Sequence, residues 1–146
     1  MTDQQLHTRL PIALLLLRLS VFIVMIMWTI DKFLHPGHAV SIFERYYQIS
    51  GLGHVTAYLL GVIQLGVILA FVSGFKKRIS YGLVLLMHLG STVSSWHKYI
   101  NPWDVPNLLF FAAFPMLAAI FALYLLRDQD TLLALDKTKP RTVAVA

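Results

Sequence analysis

The stretch Pro11-Ile-Ala-Leu-Leu-Leu-Leu-Arg18-Leu-Ser-Val-Phe-Ile-Val-Met-Ile-Met-Trp28-Thr-Ile30 decides how this chain is read. It is a run of about 20 residues with one charge in it, the length of helix a bilayer's hydrocarbon core demands. It is too long for the apolar region of a signal peptide. It closes in Met27-Trp28-Thr29-Ile30-Asp31-Lys32-Phe33, with no small-residue cleavage site. The expectation is a retained first span that also acts as the targeting signal, beginning at Pro11, whose missing N–H is harmless in a first helical turn.

Working outward, the same pattern recurs. Apolar runs cover about 54–73, 79–96 and 105–126. The linker 74–78 is Gly-Phe-Lys-Lys-Arg, tight and basic, and the linker 97–104 holds His97, Tyr99, Trp103 and Asp104. Pro115 lies inside the fourth run and is a candidate kink. Between the first and second runs, His38–Ser50 is too short and polar to span. Val40, Phe43 and Tyr47 share one helical side, which fits a short helix lying at the membrane interface. The fold class expected is therefore all-α: a four-transmembrane-helix bundle over residues 1–126, with a polar cytoplasmic tail from 127 to 146 whose end, from Lys137, is expected to be disordered.

Composition agrees. Hydrophobic residues make up 58% and charged residues 13% of 146, against about 45–50% and 25% in soluble domains. Without cysteine, disulfides, thiolate metal sites and iron–sulfur clusters are excluded. The net charge of +5 does not indicate nucleic acid, because the cations flank apolar runs. Arg9, Lys76, Lys77, Arg78, Arg127, Lys137, Lys139 and Arg141 fall on one side of the four-span scheme. Lys32, Arg45 and Lys98 fall on the other. The positive-inside rule makes the first side, with both termini, cytoplasmic.

Three groups of residues are candidates for function. Arg18 sits roughly 9 Å inside the cytoplasmic boundary at 1.5 Å per residue, where a charge faces protein, water or the headgroups. Its candidate partners are Tyr81, Tyr124 and the more distant Asp128. On the third run, His88, Ser91, Thr92 and Ser95, preceded by Tyr81, form a polar stripe. It fits a ligand cleft, a proton path, or hydrogen bonding to a neighbouring helix, with Gln64 a candidate partner. On the outer face gather Asp31, Lys32, His35, His38, Glu44, His54, His97 and Asp104. Histidine with carboxylate suits proton exchange or a transition metal, and equally ordinary interfacial polarity. Haem ligated by two histidines is disfavoured, since His88 alone is deep. No catalytic residue is assigned, and a bound quinone or histidine-bound metal is the cofactor class left open. Small residues, Gly61, Gly90, Ser94, Ala112, Ala119 and Ala122, are expected to serve helix packing.

The motif Leu16-Leu17-Arg18-Leu19, followed by an apolar run closing in Asp31-Lys32-Phe33, resembles the opening of the DoxX-like proteins, four-span membrane proteins of the bacterial inner membrane. The basic turn after the second span and the overall length are also similar. Asp31 stands where that family often has a small residue, and His38–Ser50 has no counterpart in the pattern. The resemblance implies a redox-linked membrane role, with Arg18 and Lys32 as the matching charges, since some members are subunits of a thiosulfate–quinone oxidoreductase and others belong to oxidative-stress systems. The readings carried forward are three: a redox-linked protein with a quinone- or metal-facing outer site, a non-catalytic accessory subunit or assembly factor, and a small oligomeric transporter or channel. The partners expected are the lipid bilayer and other membrane subunits or further copies of the chain.

Overall fold

A computed structural model describes residues 3–136, and among them every regular element is helical. The helices are α1 (Asp3–Leu34), α2 (Pro36–Tyr47), α3 (His54–Val72), α4 (Lys77–Ser94), α5 (Trp96–Ile100) and α6 (Ala113–Leu125), with a 3₁₀ helix, Asn107–Ala112, leading into α6. Lys137 onward, expected to be disordered, lies outside the described residues.

Four helices form the bundle. α1 packs on α3 and α6, and α4 packs on the same two. α1 and α3 run antiparallel, with Gly74 beside Arg18 at one end and Gly61 beside Phe33 at the other. α4 and α6 are antiparallel too, with Gly82 against Tyr124 and His88 against Ala113. The α3–α4 connection, residues 73–76, is short, whereas α2 lies in the link from α1 to α3, and α5 and the 3₁₀ helix lie in the link from α4 to α6. The core holds Leu14, Val21 and Met25 of α1, Ile68 and Phe71 of α3, Tyr81 and Val84 of α4, and Ile120 and Leu123 of α6. On α1 the buried positions 14, 18, 21, 25 and 29 recur every three to four residues, so one narrow stripe faces inward. Leu16, Ile23 and Met27 stand outward and exposed.

α1, α3 and the stretch Asn107–Leu125 are long and apolar enough to cross a membrane. α4 has a span's length but begins Lys77-Arg78 and carries His88, Ser91, Thr92 and Ser94, which lower its hydropathy. α1 starts at Asp3, eight residues before the expected boundary, and Pro11 lies inside it. A proline there removes a single hydrogen bond, to residue 7, and the helix continues through it. α2 spans Pro36–Tyr47, close to the expected short helix, and ends on Gln48 in the left-handed conformation.

The fourth run is not a continuous α-helix. Residues 107–112 are 3₁₀, and Pro115 falls in the first turn of α6 rather than in its middle. Pro115, third in α6, has no N–H to donate just after the chain changes from 3₁₀ to α. Residues 127–136, expected as the start of a tail, fold back across the bundle end. The Leu135 N–H donates to Ser73 O (2.9 Å) and the Asp136 N–H to Gly74 O (3.1 Å).

Candidate functional site

The buried charged groups among the described residues, Arg18, Lys77 and Asp130, meet at one end of the bundle. Arg18 on α1 and Asp130 on the returning segment are fully buried, and Tyr81 of α4 joins them. Arg18 Nη1 donates to the Tyr81 hydroxyl (3.2 Å) and lies 3.4 Å from Asp130 Oδ2. Tyr81 in turn donates to Asp130 Oδ2 at 2.7 Å. Arg18 Nη2 donates to the backbone carbonyls of Leu132 and Leu133. The Lys77 ammonium, also buried, donates to the Asp130 carbonyl (3.1 Å). The Lys77 backbone N–H donates to the Asp136 carboxylate (3.1 Å), which therefore caps α4 from a distant part of the chain.

Gly74 sets how closely these pieces approach. Its φ is +61°, and a Cβ there would sit 2.7 Å from both Ala134 Cβ and Arg18 Nη1. Only glycine combines that backbone conformation with that clearance. Arg18 Nε and Asp130 Oδ1 remain buried without a hydrogen-bond partner. The cluster is thus an ion pair strengthened by a shared phenol and two carbonyls, in surroundings where an unpaired charge is costly. Its chemistry is that of a latch: it binds residues 130–136 to α1 and α4.

Of the partners expected for Arg18, Tyr81 is present. Tyr124 instead supplies a ring for the Arg127 guanidinium, 4.9 Å away, and the acid at the site is Asp130, not Asp128. Asp130 carried no signal in the sequence, because a chain turning back toward α1 leaves no periodicity.

Tyr81, His88 and Thr92 of the stripe on α4 turn toward the bundle. His88 Nε2 donates to the Ala113 carbonyl at 3.1 Å, a bond across helices, and a carbonyl partner means that nitrogen carries the proton. The Thr92 hydroxyl donates to His88 O within α4, and that of Ser95, the residue that caps α4, donates to Ser91 O. Thr92 and Ser95 are buried, whereas Ser91 is exposed. Gln64 is half-buried on α3 and is not the partner of His88.

At the opposite end, part of the outer group comes together. Asp31 accepts from His35 Nδ1 (3.1 Å) and His38 Nδ1 (2.6 Å), which ties the end of α1 to α2. His54 Nε2 lies near Gly37, 3.8 Å from the point where a Cβ would stand. Lys32 donates to Trp28 O on its own helix. Glu44, His97 and Asp104 are exposed, and His97 stacks on Trp96. Among the described residues no three His, Asp or Glu side chains are grouped to hold a metal ion. Gly90 faces open space, so it does not serve packing within the bundle, while Gly61 lies against the Phe33 ring.

No protein-family model matches this chain, and comparison with curated proteins and with solved structures finds no match either.

Proposed function

We propose that this chain is a four-span protein of the bacterial inner membrane, both termini cytoplasmic, acting as a non-catalytic accessory subunit or assembly factor of a larger membrane complex. The observation that carries this reading is that the deep polar side chains of the helices bond to one another or to helix backbone, although Arg18 Nε, Asp130 Oδ1, Tyr99 Oη and Asn107 Oδ1 keep unpartnered atoms. Arg18, Tyr81 and Asp130 bind one another, Thr29 and Thr92 bind their own helices, and His88 binds α6. What remains for other molecules is an apolar outer surface and a firmly latched end, which suit packing against lipid and neighbouring subunits.

α4 counts as the fourth span in this reading because it lies between two apolar helices, α3 and α6, and buries Lys77, Ser80, Tyr81 and Thr92 against them. A helix so placed reaches the same depth as its neighbours. The basic turn 76–78 then lies in the cytoplasm, and α2, with Tyr46 and Tyr47, lies along the outer interface. Purification in mild detergent should recover a stoichiometric membrane partner. A chain that always isolates alone, or only with copies of itself, counts against this function.

A redox-linked role is the second reading. The DoxX-like resemblance at Arg18 and Lys32 supports it, as does the exposed Asp31–His35–His38 group, whose imidazoles are placed to exchange protons. Copurification of a quinone, lost with His35→Ala and His38→Ala, is its test. Protein that carries none counts against it.

A further inference from the structure

Two shallow, adjoining channels run along the outside of α3 and share Phe75 in their lining. The first, about 300 Å³, lies between α3 and α4 and is lined by Gly66, Ala70, Phe75, Lys76, Ile79 and Leu83 among others. The second, about 700 Å³, shares Gly66, Ala70 and Phe75 and continues past Ser73 to Leu135 of the returning segment. Their common floor is low because Gly66 has no side chain and nothing lies within 4 Å of where one would begin. Both channels are apolar along their length. In the lining of the first stands one exposed cation, Lys76, whose ammonium lies 5.5 Å from the Phe75 ring centre, with exposed Arg78 two positions further on.

The geometry points to a binding site for one anionic phospholipid, its acyl chains lying in the two adjoining channels and its phosphate at Lys76. The apolar-to-cationic order along the channel matches the order of an anionic amphiphile from tail to headgroup. An apolar helix of another subunit lying in the same groove would leave Lys76 against hydrocarbon. Lys77 does not compete for the headgroup, because its ammonium is buried on the Asp130 carbonyl. Basic residues at the membrane surface attract anionic headgroups. This inference rests on the chain being embedded in a membrane, and not on its having an accessory role.

The test is native mass spectrometry of the full chain in neutral detergent, with equimolar phosphatidylglycerol and phosphatidylcholine of identical acyl chains. One lysine at a headgroup corresponds to a preference of roughly fivefold for the anionic lipid. Lys76→Gln should bring the two lipids to parity, and Lys76→Arg should keep the preference. Gly66→Phe, or the smaller Gly66→Leu where the first variant fails to fold, should lower retention of both lipids. Gly90→Phe, which adds the same bulk to an exposed part of α4, should leave both unchanged. Equal retention by the unaltered chain, or a preference that survives Lys76→Gln, overturns the site. So does a photo-crosslinker at Leu83 that captures a second copy of the chain or another protein instead of lipid. A chain that stays monomeric in water without detergent overturns the embedding itself, which is a separate failure.

Discussion

Replacing Asp130 with alanine should release the end of the chain from the bundle. The carboxylate is fully buried, accepts from Tyr81 at 2.7 Å and faces Arg18 at 3.4 Å. Removing one member of a buried pair costs about 3–5 kcal/mol, because the remaining charge stays desolvated. Arg18 keeps the Leu132 and Leu133 carbonyls, so the lower figure applies, about 3 kcal/mol, equivalent to a little over a hundredfold in the opening equilibrium. Hydrogen exchange in detergent reads this directly at the Leu135 and Asp136 amides, which bond to Ser73 and Gly74. Both should lose protection while amides of α3 keep theirs. Arg18→Met combined with Asp130→Ala should cost less than the sum of the two single variants, because neither charge is then left alone. Unchanged protection in Asp130→Ala, or costs that simply add in the double variant, would refute the latch.

Gly74→Ala should destabilise the same end by about 2–4 kcal/mol, from left-handed backbone strain plus a clash with Ala134 and Arg18, as measured by denaturant titration. Gly61→Ala should cost about 1–3 kcal/mol, because its Cβ would sit 2.9 Å from the Phe33 ring. Phe33→Leu in the same chain should recover part of that loss, and thermal melting of the single and double variants checks it. His88→Ala removes one interhelical bond and should lower stability by roughly 0.6–1.7 kcal/mol, with no loss of a copurifying partner or cofactor. Abolished cofactor retention in that variant, with the fold intact, would move His88 from packing to ligand binding.

The long helices were legible because their apolar runs are declared by their own residues, whereas α5 fell in a stretch expected as a loop and residues 107–112 of the fourth run are 3₁₀. Apolar runs of the right length, broken by Gly51 and Gly53 and by the basic turn at 76–78, mark α1, α3 and the ends of α4 and α6 without help from the rest of the chain. Arg18 was legible as an anomaly for the same reason, since a charge inside an apolar run demands a partner wherever the chain goes. Its partner was not. Asp130 lies 112 positions away on a segment with no repeat, brought in by a turn whose form depends on Gly74 meeting Ala134. The α4 stripe was legible as a face but not as buried. Periodicity says which residues share a side, and only the position of α6 decides that His88 meets a carbonyl rather than a cleft.

The sequence by itself determined that the chain is helical and apolar, where its long helices lie, and that Arg18 must be accommodated. These follow from hydropathy and backbone chemistry acting over a few turns at a time. Only the tertiary structure decided that residues 127–136 close the bundle, that Asp130 and not Asp128 answers Arg18, and that the α3–α4 surface is grooved beside Lys76. The physical reason is that contacts between segments far apart in the chain depend on how helices and turns approach one another in three dimensions, which no local pattern encodes.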